Sequence, residues 1–112
     1  MSALTDKQAR FASMFGQLLH FVDTLPDHRV RVSWGYRSPA ANKLIGGHPR
    51  STHISRLAED VILDKRINGK WVWQKSTAAY KPLGEFWESI GGTWGGRFDD
   101  GGHFSLEHNG VK

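Results

Sequence analysis

From Leu57 to Leu63 the chain reads as one strand, and that strand carries a carboxylate where a small sheet has least room for one. Leu57, Val61 and Leu63 fall on one face of an extended chain, and Ala58, Asp60 and Ile62 fall on the other. Asn68-Gly69 stands between Arg66-Ile67 and Trp71-Val72-Trp73, the dipeptide that suits a two-residue hairpin turn. A strand that folds straight back on itself must pair antiparallel. Ala58 and Ile62 are apolar, so the face of Asp60 is expected to point inward. An unpaired buried carboxylate costs on the order of several kcal/mol, comparable with the whole stability of a domain. Asp60 therefore requires a cation, a set of donors or a metal. Glu59 is expected on the opposite face.

The other elements follow from periodicity. Phe11, Phe15, Leu18, Leu19 and Val22 recur at helical spacing, with Thr5 and Gln8 as a possible capping box and Pro26 as a stop. Val30 and Val32 alternate with Arg29, Arg31 and Ser33, a strand ending near Gly35. Ser38-Pro39 opens a short helix to Leu44, and residues 48–55 read as a loop. A further helix is predicted from Ala78 to Ile90, with Phe86, Trp87 and Ile90 inward and Gly91-Gly92 closing it. A last strand runs from His103 to Leu106. The expected fold is α+β, with helices flanking a small, mainly antiparallel sheet in one domain over residues 1–112. Trp71 and Trp73 share a hairpin face and are read as core or cover ahead of a glycan-binding platform.

Composition narrows the chemistry. The chain has no cysteine, so any transition metal must be held by histidine and carboxylate. The formal charge of +4 suits nucleic acid, anionic lipid or an anionic cell-wall polymer, or simply a solvated surface, and the lack of a basic run argues against a dedicated nucleic-acid arm. No nucleic-acid partner is expected, since the aromatics are not interleaved with cations as a stacking groove requires. No stretch approaches membrane-spanning length, and residues 1–10 lack the apolar core of a signal peptide. The expectation is a monomer made in the cytoplasm, without stable membrane association; if it acts outside the cytoplasm, something else must release it.

His53 lies seven residues before Asp60, where the strand begins. His103 lies on another predicted strand beside Gly101-Gly102. Two imidazoles and one carboxylate are a suitable ligand set for catalytic zinc, which leaves a position for water and lowers its pKa to about 7. Asp100, three residues before His103, is close enough to act on a proton there. Spacing alone leaves other readings open: an Asp-Gly turn at residues 98–102, and loop or surface roles for His20, His48 and His108.

Three segments, in order, carry a resemblance. Ser51-x-His53 followed by Ala58-x-Asp60 resembles the S-x-H-x(4)-A-x-D signature of the M15 peptidases. Trp94-Gly95-Gly96-Arg97-Phe98 with Asp100-x-x-His103-Phe104 resembles the C-terminal signature of that family, and Gly35-Tyr36-Arg37-Ser38 resembles its upstream segment. The family includes D-alanyl-D-alanine carboxypeptidases, dipeptidases and phage L-alanyl-D-glutamate endolysins. The resemblance implies that His53, Asp60 and His103 hold zinc and that Asp100 is the general base. It also implies that Arg37 binds substrate, with Ser51 close by. Two departures stand out: Arg56 where glycine is frequent, and Gly-Gly as the spacer between Asp100 and His103.

The resulting expectation is a zinc peptidase acting on the peptidoglycan stem peptide, endolysin-like, of the L-alanyl-D-glutamate endopeptidase type. The alternatives are a D-alanyl-D-alanine carboxypeptidase or dipeptidase, and a non-catalytic zinc-stabilised wall-binding domain.

Overall fold

A computed structural model describes residues 3–112. It is α+β, as expected. Helix α1 (Ala3–Asp23) leads into strand β1 (His28–Trp34), then the short helix α2 (Pro39–Leu44) and the long strand β2 (Ala58–Ile67). Strand β3 (Lys70–Trp73) returns through the Asn68-Gly69 turn, where both residues take positive φ. Helix α3 (Lys81–Ser89), strand β4 (Thr93–Trp94) and strand β5 (His103–Ser105) complete the chain.

The sheet is antiparallel throughout, and β2 is its spine. Strand β1 pairs along one edge of β2, from His28 opposite Lys65 to Trp34 opposite Asp60. The other edge is shared: β5 takes the first half of β2 and β3 takes the second. Strand β4 then pairs outside β5.

Helices α1 and α3 cover the sheet face that carries Leu57, Val61 and Leu63. Phe11, Met14, Leu18 and Val22 descend from α1, and Leu83 and Trp87 from α3. Trp87 is wholly buried, touches Phe11 and Phe104 edge to face, and donates its indole N–H to the Ser105 carbonyl at 2.9 Å. A fully buried tryptophan with a satisfied N–H anchors a small core, and removing one typically costs about 3–5 kcal/mol.

Several expectations change. The face of Asp60 is not the inward one: the core lies on the opposite face, and Asp60 keeps 28% of its side chain exposed beside a cleft. Trp71 and Trp73 are neither core nor cover, being 36% and 51% exposed. Thr5 lies inside α1 rather than at its N-cap, and Gln8 donates to the Ser55 carbonyl at 2.9 Å. The third helix is entered through a 3-10 turn, Thr77–Tyr80, and Pro82 falls within its first turn, where a missing N–H costs nothing. Strand β4 and the 3-10 turn Gly95–Phe98 have too few residues to show a period.

Candidate metal centre and cleft

Asp60 and His103 sit opposite each other in the β2–β5 ladder, so their side chains leave the sheet on one face as neighbours. His53 joins them from the loop before β2. That loop is fixed by main-chain bonds from Ser51 to His48, Ile54 to Ser51 and Leu57 to Thr52, at 2.8–3.0 Å. The hydroxyl of Ser51 accepts from the His53 main-chain N–H at 3.2 Å, so its first task is to shape this turn.

The ligating atoms of His53, Asp60 and His103 all lie within 4.8 Å of one another. His53 Nε2 and His103 Nδ1 approach the same Asp60 oxygen, at 3.2 and 3.1 Å. Each ring has its other nitrogen against a main-chain oxygen: His53 Nδ1 against Gly35 at 2.8 Å, and His103 Nε2 against Lys112 at 3.1 Å. Donating N–H outward leaves the inward nitrogen with its lone pair, the arrangement a metal-binding imidazole needs. The donor set, two imidazoles and a carboxylate with these backing acceptors, fits zinc; cobalt or iron would also be accepted by such ligands.

Without a metal, hydrogens on the inward nitrogens face Asp60 instead. Burial alone would raise the Asp60 pKa, but hydrogen bonds from His103 and His53 reverse that and hold it at about 2. Burial works against a charged His103, yet the Asp60 carboxylate and the Lys112 oxygen push its pKa up. Asp100 goes the other way for a carboxylate. Desolvation raises its pKa, reinforced by the charge of Asp60 and opposed by His103, His53 and Arg37. A carboxylate beside a metal site with a raised pKa is a candidate proton acceptor.

The segment that delivers Asp100 explains the Gly-Gly spacer. A Cβ on Gly101 would stand 2.9 Å from the Thr77 Cα, and one on Gly102 would stand 2.5 Å from the Val61 carbonyl oxygen. The turn must press against both elements to place Asp100 and His103 on one side, and only glycine permits it.

Arg37 is buried at 8% exposure, with Nη1 donating to Asn42 Oδ1 at 3.1 Å and Nη2 lying 3.9 Å from Asp60 Oδ2. Its guanidinium carbon sits 4.4 Å from the centre of the Trp34 ring. Its Nε has no partner among the described residues, an uncommon state for a buried donor. Asn42 is itself buried in α2 and donates to the His48 carbonyl at 2.8 Å, so Arg37 is aimed by a residue that is itself fixed.

These residues line a cleft with two arms. One cavity of about 320 Å³ is walled by Arg37, Ser51, His53, His103 and Phe98 together with Asp60 and Asp100. A second, of about 420 Å³, is walled by Trp73, Lys75, Thr77 and Tyr80 and again by Asp60 and Asp100. Asp60 and Asp100 line both cavities.

All six residues singled out from the sequence are thus gathered at this one place. His48 is exposed but reaches the wall of the smaller arm, accepting from the Arg50 N–H at 3.0 Å. His108, expected in solvent, is half-buried in a turn bridged to Val111 that swings Lys112 back to the site. Asn42, Gly35 and Lys112 escaped the sequence reading. The last two act through main-chain oxygens, which leave no trace in a sequence.

A family model described as D-alanyl-D-alanine carboxypeptidase matches residues 46–106, more than half of the chain. No curated protein matches it.

Proposed function

The chain belongs to the M15 peptidases, and from that premise we propose that it is a zinc-dependent endopeptidase cutting the peptidoglycan stem between L-alanine and D-glutamate. The observation that carries the endopeptidase reading is the pair of cavities that Asp60 and Asp100 both line. A bond inside a chain needs room on both sides, whereas a terminal residue needs a closed end.

His53, Asp60 and His103 would hold the zinc, which when bound polarises a carbonyl and acidifies water. Asp100 accepts the proton of the attacking water at its carboxylate and passes it to the leaving amine nitrogen. Its raised pKa suits both halves of that task. Arg37, with one unpartnered N–H, donates to the substrate oxygen on which charge develops. Ser51 keeps His53 in register. Host lysis as a phage endolysin, reaching the wall from the cytoplasm, is the physiological role proposed.

A second reading has one observation of its own. The free Nε of the buried Arg37 would also receive a terminal carboxylate, as a D-alanyl-D-alanine carboxypeptidase requires. Product analysis on a defined stem pentapeptide separates the two. Release of L-alanine or of the whole D-glutamate-led fragment supports the endopeptidase, and release of terminal D-alanine alone overturns it. Asp100→Ala with stoichiometric zinc and no cleavage supports the assigned base. Zinc bound by both proteins with cleavage by neither makes the metal structural.

A further inference from the structure

The face that carries the metal cluster does not end there. Along β2 the residues after Asp60 on that face are Ile62, Asp64 and Arg66, and β3 sets Trp73 opposite Asp64 and Trp71 opposite Arg66. From the other edge, β1 sets Arg29 opposite Asp64 and Arg31 opposite Ile62. Helices α1 and α3 pack against the reverse face, so this face is open to solvent apart from buried Asp64 and half-buried Ile62. Trp71 and Trp73 on this face are 36% and 51% exposed, two large apolar side chains left uncovered on one short strand.

Cations outnumber carboxylates on this face, although Arg66 is already paired with Asp27 at 3.0 Å. Asp64, buried, is shared by Arg29 and Arg31, whose Nε atoms lie 2.9 and 3.0 Å from the same oxygen. One carboxylate between two guanidiniums leaves positive charge over. Arg29 lies 4.4 Å and Arg66 5.1 Å from the Trp71 ring, and Lys75 Nζ lies 4.8 Å from the Trp73 ring. Two guanidiniums lie over the Trp71 ring and one ammonium over Trp73, so Trp73, the more exposed of the two, keeps the freer face for stacking. The face has the shape of a track rather than a pocket, and it is continuous with the cleft, since Trp73 and Lys75 also wall the arm that begins at Asp60 and Asp100. Asp64, opposite Trp73, lies four residues beyond Asp60, about 13 Å along the strand. A peptide of a few residues spans that distance.

We propose that this face binds the glycan strand to which the stem peptide is attached, with sugar rings stacked on Trp73 and against Trp71 and stem carboxylates facing Lys75. The proposal rests on the peptidoglycan reading above and extends it from the scissile bond to the polymer. It explains why the hairpin ends in tryptophans that no core uses.

The test is co-sedimentation with purified wall sacculi stripped of accessory anionic polymers by acid. Zinc-loaded Asp100→Asn protein is used, so that binding is read without digestion. Trp71→Ala with Trp73→Ala in that background is expected to weaken retention by about tenfold or more, corresponding to roughly 1.4 kcal/mol. Trp73→Tyr keeps most of it, and all variants keep one zinc, which checks the fold. Equal retention by the double alanine variant overturns the proposal. Retention that vanishes when accessory polymers are stripped also overturns it, and assigns the face to those polymers. Wild type that cleaves a free stem peptide without pelleting sinks the docking face alone. Pelleting through the tryptophans with no cleavage of any stem peptide sinks the peptidase reading and leaves the face standing.

Discussion

The Nε2 atom of His103 lies 3.1 Å from the main-chain oxygen of Lys112, so the last turn of the chain fixes which way this imidazole faces. The same oxygen accepts from Thr52 and Ser105 hydroxyls, both at 3.3 Å. Thr52 and Ser105 are buried, and Lys7 holds the segment down by donating to the Glu107 carbonyl at 2.7 Å.

Deleting residues 109–112 therefore removes the acceptor that orients a proposed ligand. Loss of such a partner typically lowers metal affinity by about 10–100-fold. Two buried hydroxyls also lose their acceptor, at a cost of about 1–3 kcal/mol each where no water replaces it. Competition with a chelator reads the affinity and a melting curve reads the stability. Unchanged zinc affinity in the shortened chain would remove Lys112 from the metal site.

Asp100 predicts the acid side of the activity profile. In the metal-free protein its pKa is raised, chiefly by desolvation, so it holds its proton to a higher pH than a solvated aspartate does. The limb of kcat/KM on the acid side should fall at a higher pH than for a solvated aspartate. Asp100→Asn should lower kcat by about 10²–10⁴-fold with zinc content unchanged. A limb at an ordinary aspartate pKa, or an Asn variant with near-normal kcat, assigns the proton to another group.

Asp60 and His103 predict how the metal-free protein responds to pH. The folded pKa of Asp60, about 2, is below its ordinary 3.8. Its stabilising effect is present above the unfolded value and fades as pH falls toward 2. The pKa of His103 is raised above 6.5, so its effect is complete below 6.5 and fades as pH rises through the folded value. Without metal, stability from this pair should peak in the weakly acidic window between those limits. Zinc requires a neutral imidazole and should move the maximum upward. Melting temperatures across pH, with zinc and with chelator, test this; two curves of one shape would contradict it.

Much of this site was legible because strand pairing turns sequence order into geometry. Once β2 and β5 are strands, Asp60 and His103 need only a register to become neighbours, and the hairpin at Asn68-Gly69 declares the antiparallel sense. The error over which face is inward has a simple origin. In a sheet covered by helices on one side, the face with a cleft still carries apolar residues such as Ala58 and Ile62, so apolar neighbours did not distinguish core from cleft wall. Trp71 and Trp73 were misread for a related reason, since aromatic residues at period two have the same pattern whether they meet a helix or a ligand. What the sequence could not carry was the backing of the two imidazoles by Gly35 and Lys112, because every residue has a carbonyl.

Arg56 offers a test of strain, and it stands where the family frequently has glycine. Its φ is +61°, in the left-handed region that side chains with a Cβ avoid at a cost of about 1–2 kcal/mol. The guanidinium lies 3.9 Å from the centre of the Tyr36 ring, a contact worth roughly 0.5–1 kcal/mol at an exposed position. The stack thus offsets part of the strain, and the turn between His53 and β2 keeps the shape a glycine would give it. Arg56→Ala retains the strain and loses the stack, so it should destabilise. Arg56→Gly loses the stack but also the strain, less the extra chain entropy of glycine, and should be more stable than the alanine variant by about 1 kcal/mol. In a Tyr36→Ala background, Arg56→Ala should cost almost nothing further. Denaturant midpoints for the single and double variants decide it. An alanine variant as stable as the glycine one would mean that the turn relaxes out of the left-handed region, and zinc affinity would then be expected to fall as His53 moves with it.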